Sequence, residues 1–105
     1  MPNKIYGIDL DKKITPLIVR DAIVSCFFKA HCEDTGVEED KLTNKEYCRM
    51  IVEKSFEEVN GNFDDPSKED IVNVVARLAD FSKSFRDPKI ILKHKDQIEL
   101  LLSKL

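Results

Sequence analysis

The chain has 105 residues, which is enough for one domain with its own hydrophobic core and too few for two. Hydrophobic residues make up 42% and charged residues 35%, a composition too apolar for a disordered segment and too charged for a membrane span. No apolar run approaches the ~20 residues that a transmembrane helix needs. The net charge of −3 and the pI near 5.4 argue against nucleic-acid binding, which depends on concentrated positive charge.

The N-terminus and the cysteines predict a cytoplasmic protein. The first residues, Met-Pro-Asn-Lys-Ile-Tyr, are followed by no apolar stretch and therefore do not resemble a secretory signal. The cysteines are odd in number, and none lies in a Cys-x-x-Cys arrangement: Cys26, Cys32 and Cys48. A disulfide framework would leave one thiol unpaired, so we expect all three to be reduced.

Residues 1–14 predict an extended N-terminal arm. Tyr6, Ile8 and Leu10 alternate with glycine and aspartate, and this alternation is typical of a strand. A lone strand has no partner within an otherwise helical domain. We therefore expect the arm to lie across the helices or to pair with another chain.

Helix-start signals divide residues 15–105 into four helices of a single domain. Three starts place proline directly after a good N-cap residue, because proline has no N–H to lose there: Thr15-Pro16, Asp65-Pro66 and Asp87-Pro88. The other start is a capping box between Thr43 and Glu46, and Gly36 and Gly61 supply left-handed stops. The helices are predicted at about 16–34, 44–59, 67–85 and 88–104.

Apolar periodicity makes the first helix the centre of the fold. Its only polar strip consists of Asp21, Ser25, Lys29 and Cys32, so apolar side chains cover most of the remaining surface. The second, third and fourth helices each have one apolar side and one charged side. The predicted fold is therefore all-α, a four-helix bundle-like single domain with a short extended N-terminal arm.

His94 is the polar residue in the middle of an apolar seam on the fourth helix. The seam has the alternating spacing of three and four residues found in helical bundles: Ile91, His94, Ile98, Leu101 and Leu105. One interpretation is a neutral, hydrogen-bonded histidine at the edge of the core. The other is a polar group that sets the register of a helix–helix interface, which predicts pH-dependent association.

The residues that usually carry metal binding or catalysis form no local motif. His31 and Cys32 are adjacent, so their side chains diverge by about 100° on a helix. Cys26 and Cys48 lie near the centres of apolar faces, where a free cysteine behaves as a small hydrophobic residue. No Glu-x-x-His, Glu-x-x-Glu, nucleophile elbow or phosphate-binding glycine loop occurs. We expect no cofactor and no metal, and the sequence indicates a non-enzymatic protein.

A basic stretch from Lys83 to Lys95 does not by itself predict nucleic-acid binding. Its cations scatter around the fourth helix, and Asp96 and Glu99 follow closely. No aromatic residue lies among them after Phe85. A charged surface that keeps the domain in solution is the simpler interpretation.

The remaining apolar surface predicts a protein–protein interaction. Two leucines of the fourth helix point away from its seam, and an unpaired arm can add to another chain by strand pairing. We therefore predict a non-enzymatic interaction or oligomerisation module, with a second copy of the chain (a homodimer) as its partner. The predicted interface residues are Tyr6, Ile8, Leu10, Leu92, His94 and Leu100.

The alternative function is a small metal- or ligand-binding helical enzyme that uses His31, Cys48 or His94. Histidine and cysteine side chains from separate helices can converge in a folded chain without any spacing motif. Metal in the freshly purified protein would favour this alternative, whereas a dimeric mass in solution would favour the interaction module.

Overall fold

The structure is a computed structural model and describes residues 4–37 and 45–105. Over these residues the chain forms a two-stranded hairpin and four α-helices, the third of which continues as a 3-10 helix. Their bounds are β1 Lys4–Ile5, β2 Ile8–Asp9, α1 Pro16–Thr35, α2 Lys45–Glu58, α3 Lys68–Arg77, the 3-10 helix Leu78–Ser84 and α4 Pro88–Leu102. The predicted fold class, four helices packed around one core, is confirmed.

The N-terminal segment folds back on itself as a hairpin. β1 and β2 pair antiparallel, with Ile5 opposite Ile8. Tyr6 and Gly7 form the turn with φ angles of 53° and 77°, the left-handed pair required by a type I′ turn. The predicted extended arm is therefore two short strands that pair with each other, while residues 1–3 lie outside the described range.

α1 is the central helix, because it contacts α2, α3 and α4. The Thr15 hydroxyl accepts the backbone N–H of Ile18, and Gly36 ends the helix at a φ of 74°, so both predicted ends are confirmed. Cys32 was expected on the polar strip, and this expectation is wrong. The thiol is buried because α2 packs over that side of α1, where Cys48 is its neighbour.

α2 packs one side onto α1 and α3 and ends at a turn made by Asn60. Its buried side chains are Cys48, Val52, Ser55 and Phe56. The left-handed stop expected at Gly61 is wrong, since Asn60 takes the positive φ of 58°. Asparagine tolerates this conformation because its short polar side chain can hydrogen-bond locally. Thr43, the predicted cap of this helix, lies outside the described residues.

α3 begins at a capping box that was not predicted. The Ser67 hydroxyl accepts the N–H of Asp70, and the Asp70 carboxylate accepts the N–H of Ser67. The start predicted at Asp65-Pro66 is therefore wrong. Ser67 satisfies the free N–H groups one residue beyond the proline.

The 3-10 helix replaces the second half of the predicted helix 67–85. Its three residues per turn align Leu78 with Phe81 on the side that faces the core. Phe81 and Phe85 then form T-shaped contacts with the Phe27 ring, with ring centroids 5.2 and 5.9 Å from that of Phe27. Aromatic pairs favour this edge-on contact, which accounts for the tighter winding.

α4 begins as predicted at Asp87, whose carboxylate accepts the N–H of Lys89 while Pro88 occupies the first turn. It packs against α1, α3 and the 3-10 helix. Four residues of the predicted seam are buried: Ile91, His94, Ile98 and Leu101. The Asp34 carboxylate at the end of α1 accepts the backbone N–H groups of Arg86 and Asp87, both at 3.0 Å, and so fixes the connection into α4.

Over the described residues, no helix combines enough length with enough apolar character to cross a bilayer. α1 is the most apolar of them, and its apolar side chains are used in contacts with the other three helices.

Candidate functional site

Three parts of the molecule are candidates for a functional site. The first is a hydrogen-bond network around the buried His94, which we call the His94 network (Tyr6, Cys26, Glu33 and His94). The second is a groove beside α2 on the opposite side of α1. The third is the exposed side of α4.

The His94 network joins the hairpin, α1 and α4. His94 is 5% exposed and lies between two partners: its Nδ1 is 2.5 Å from the Tyr6 hydroxyl and its Nε2 is 3.0 Å from Glu33 Oε1. The Tyr6 and His94 rings are also stacked, with centroids 5.8 Å apart. The structure therefore places His94 inside one chain, as the hydrogen-bonded core histidine of the first interpretation.

The partners of a neutral His94 ring determine its tautomer. An ionised Glu33 carboxylate only accepts hydrogen bonds, so Nε2 must carry the proton and donate it to Glu33. Nδ1 is then the acceptor, and the Tyr6 hydroxyl donates to it. Both ring nitrogens are satisfied, which offsets the cost of burying a polar ring among isoleucines and leucines.

Cys26 lies next to the Tyr6 hydroxyl at the inner end of this network. Burial raises the pKa of the Cys26 thiol to about 12, and an interaction with Tyr6 opposes part of that rise. Burial also raises the pKa of Tyr6, with smaller contributions from Cys26 and Glu33. At neutral pH both groups are uncharged. Cys26 is fully buried as well, so it meets neither requirement of a reactive nucleophile, exposure or thiolate character.

The α2 groove is a cleft of about 710 Å³ between α2, the C-terminal part of α1 and the 3-10 helix. Its apolar walls are Phe27, Tyr47, Ile51, Phe81 and Phe85. Tyr47 is 57% exposed and stands at the margin, and the neighbouring Met50 is also exposed. A cleft of this size, with aromatic walls, falls within the range that small ligands occupy.

Charged groups around the α2 groove are balanced in sign. Arg77 pairs with Glu58, and Lys54 and Asp80 also line the cleft. The buried Nε of Arg77 has no hydrogen-bond partner among the described residues. The backbone N–H of Arg86 holds the pKa of Asp34 below its usual range, assisted by the N–H of Asp87 and the nearby charges.

The three residues of the predicted metal or ligand site do not meet at one place. His31 and Cys48 line the α2 groove, whereas His94 lies in its own network on the other side of α1. Burial raises the pKa of the Cys48 thiol, with a further rise from neighbouring Cys32. In the part of the chain that the structure describes, no three histidine, cysteine or acidic side chains are grouped as metal ligands.

The outer side of α4 carries the two predicted leucines. Leu92 is 41% exposed and Leu100 is 49% exposed. We call this surface the α4 outer face and define it by its exposed residues: Lys89, Leu92, Lys93, Asp96, Glu99 and Leu100.

The predicted interface residues of the N-terminal segment, Tyr6, Ile8 and Leu10, are half-buried and pack against the core. Sequence reasoning missed the Glu33 and Cys26 contacts because nothing in the local spacing connects them to His94.

Comparisons with known proteins place the chain in no group. No protein-family model, no curated protein and no solved structure matches it.

Proposed function

We propose that this chain is a non-enzymatic protein-interaction module whose partner is a second copy of itself. The observation that carries the proposal is the exposure of Leu92 and Leu100 on the α4 outer face, opposite the seam that the same helix packs into the core. Large apolar side chains repeated along one exposed helix face are characteristic of interaction surfaces. The predicted cytoplasmic location remains an expectation within this proposal.

The burial of the reactive groups supports a non-enzymatic role. Cys26 and His94 are enclosed by the hairpin, α1 and α4, and both ring nitrogens of His94 are engaged by protein groups. A catalytic acid, base or nucleophile must reach a substrate atom at hydrogen-bond distance. The His94 network therefore supports a structural role, which is to hold the hairpin against the helices.

The hairpin lies beside α4, so we assign it to the edge of the proposed interface. The Tyr6–His94 hydrogen bond keeps β1 and β2 beside that helix, and Ile8 and Leu10 keep part of their surface exposed. We assign the main contact to α4. One helix face buries less than the ~800 Å² per partner of a typical stable interface, so the proposed dimer forms in a concentration-dependent equilibrium.

Sedimentation equilibrium over a range of concentrations tests the proposal. We expect a mass that rises from the 12.1 kDa of one chain towards twice that value. Leu100→Asp should keep the protein monomeric at the same concentrations, because it places a charge in an apolar contact. Val72→Asp is the matched control, since Val72 has a similar exposure of 42% on α3 and should leave association unchanged. A constant mass of 12.1 kDa at every concentration would reject the proposal.

A second candidate function is the binding of a small ligand in the α2 groove. The observation that favours it is that His31 and Cys48 line the same aromatic-walled cleft. Titration with zinc ion and, separately, with benzoate tests this by nuclear magnetic resonance. Ligand binding predicts shifts at His31, Cys48 and Phe81, with Val72 on α3 as the unaffected reference. Spectra unchanged by both probes would remove this candidate.

A further inference from the structure

The hairpin and the segment after it bury less of their side chains than the helices do. In residues 4–13 every side chain is half-buried or exposed, and Ile14, at 7% exposure, is the first buried one in the described part of the chain. Each of the four α-helices has several fully buried side chains. A segment with few buried apolar contacts opens at a lower free energy than the core. We therefore expect the hairpin to detach more easily than any helix.

The hairpin also depends on the helices for its position. Its two strands have two residues each and pair with each other as a two-stranded sheet. A lone hairpin is at best marginally stable in water. A pocket of about 170 Å³ lies between the hairpin and α1, so their contact is incompletely packed; its lining residues are Tyr6, Ile8, Ile18, Asp21, Ala22 and Ser25.

Tyr6 connects the hairpin to both α1 and α4. Its hydroxyl lies 2.5 Å from His94 Nδ1 and also hydrogen-bonds with the Cys26 thiol. Its ring stacks on the His94 ring. Water replaces such hydrogen bonds when the partners separate, so each one stabilises the closed position only modestly. Tyr6 therefore acts as a latch of limited strength.

The chain between the hairpin and α1 supplies a hinge. The backbone N–H of Lys12 donates to the Asp9 carbonyl at 3.2 Å, so residues 4–12 form one unit. Lys13 is exposed and lies outside the helices and strands, directly before the buried Ile14. Thr15 caps α1 from the other side of this hinge. Movement of the hairpin about Lys13 therefore leaves the start of α1 intact.

We propose that residues 4–12 form a strap that opens as one unit about Lys13 while the four helices stay folded, with Tyr6 as its latch. Opening removes the Tyr6 side chain from the Cys26 thiol and the His94 ring, both of which are buried in the closed state. The fold then has two states, which differ in whether this thiol and imidazole are covered. The strap concerns contacts within one chain and does not depend on the proposed self-association.

Alkylation of Cys26 in the native protein tests the strap without any substitution. The probe is iodoacetamide, at concentrations where the rate is proportional to the reagent, and mass spectrometry of tryptic peptides measures Cys26 by itself. Its rate divided by the rate in the urea-unfolded chain gives the opening equilibrium constant. We expect this constant to exceed that of global unfolding, extrapolated from urea denaturation, by at least tenfold.

The urea dependence of this reaction distinguishes the strap from global unfolding. Opening a short segment exposes little surface, so alkylation of Cys26 should respond only weakly to low concentrations of urea. An opening constant equal to that of global unfolding, with the same urea dependence, would overturn the proposal. This result is decisive in the unmodified protein, whatever the stability of any variant.

Tyr6→Phe tests the latch. Loss of the hydroxyl should speed alkylation of Cys26 by about tenfold, because the closed state loses the hydrogen bonds to Cys26 and His94. Tyr47→Phe removes the same group from a side chain that is 57% exposed and should leave the rate unchanged. An unchanged rate in Tyr6→Phe, with the helices intact by circular dichroism, would show that Tyr6 is not the latch.

Ser67→Ala separates opening of the strap from loss of stability in the whole fold. This change weakens the start of α3 and touches no residue of the strap. It should raise the global unfolding constant and leave the alkylation rate of Cys26 unchanged. Alkylation that accelerates in proportion to global unfolding would show that Cys26 is reached only when the helices unfold, and would reject the strap.

Discussion

His94 connects three elements because its ring is buried with a partner on each nitrogen. The Tyr6 hydroxyl and the Glu33 carboxylate lie 88 and 61 residues away along the chain. Buried polar groups in native proteins are almost always hydrogen-bonded, so a histidine within an apolar seam implies partners. The sequence therefore predicts that His94 is hydrogen-bonded. It does not identify Tyr6 or Glu33, because their contacts depend on how the hairpin and α1 pack against α4.

Tyr6→Phe tests the contribution of the His94 network to stability. The change leaves the buried Nδ1 acceptor of His94 without a donor, so we expect the free energy of unfolding to fall by about 1–3 kcal/mol. Urea denaturation measures this loss. Tyr47→Phe removes the same hydroxyl from a side chain that is 57% exposed, and it should change the free energy of unfolding very little. Equal effects for the two variants would contradict the network.

The buried Cys26 thiol predicts a loss of stability at alkaline pH. Its pKa rises from an ordinary value of 9.0 to about 12 in the folded chain. The unfolded chain therefore ionises first, and the stabilisation from the neutral thiol, present below pH 9, is lost progressively up to pH 12. Cys26→Ser cannot ionise in this range. We expect its free energy of unfolding to fall less steeply between these pH values than that of the original protein, and parallel curves would contradict the assignment.

At the scale of the elements, the helix ends that depend on adjacent residues were predicted well. Thr15 and Asp87 cap α1 and α4 as expected, because an N-cap followed by proline leaves few other conformations. The start of α3 was wrong because Ser67 forms a reciprocal capping box with Asp70 just beyond the Asp65-Pro66 signal. Asp65 and Ser67 are both suitable N-cap residues. The helix begins after Ser67 because the box with Asp70 satisfies the backbone N–H groups of both Ser67 and Asp70.

The 3-10 helix was missed for a different reason. Leu78 and Phe81 are three residues apart, a spacing that places both side chains on one side of an α-helix and of a 3-10 helix alike. The choice between them depends on the edge-on contacts with Phe27 of α1, which sequence periodicity does not contain. Packing between elements therefore decided the local winding.

Ser67→Ala tests the capping box at the start of α3. The loss of the N-cap hydrogen bond should lower the free energy of unfolding by about 0.5–2 kcal/mol. Ser103→Ala, a change in an exposed serine at the end of α4, is the control and should have a smaller effect. A loss no larger than that of the control would contradict the box.

The same box predicts sensitivity to acid. Hydrogen bonds from the backbone N–H groups of Asn62 and Ser67 lower the pKa of Asp70 from its ordinary value of 3.8. The stabilisation is present above pH 3.8 and is lost as the pH falls through the lower folded value. Asp70→Asn should flatten the acid limb of the stability curve, whereas Glu69→Gln in the same turn should leave it unchanged.

At the scale of the whole molecule, the pattern of apolar residues was sufficient to predict four helices and a central first helix. α1 contacts the three other helices, as its broad apolar surface implies. The hairpin turn at Tyr6 and Gly7, the His94 network and the α2 groove all arise from contacts between distant segments. Periodicity describes which face of an element is buried, and it does not specify what lies against that face.

The proposed dimer also belongs to this scale, because it concerns the surface that remains after the core has formed. The seam of α4 packs into its own chain, so the α4 outer face is the part of that helix left to meet another molecule. Leu92 and Leu100 were predicted from sequence as interface residues, and their exposure gives the proposal its physical basis.

Disulfide trapping of Asp96→Cys tests this central claim most directly. Residue 96 lies between Leu92 and Leu100 on the α4 outer face, so contact between two copies through this face brings the introduced thiols within reach of each other. Mild oxidation should then yield a covalent dimer of twice 12.1 kDa that reducing agent dissociates. Glu57→Cys, an exposed site on α2, is the control and should remain monomeric under the same conditions. Cross-linking of Asp96→Cys that is no faster than that of Glu57→Cys would contradict self-association through α4.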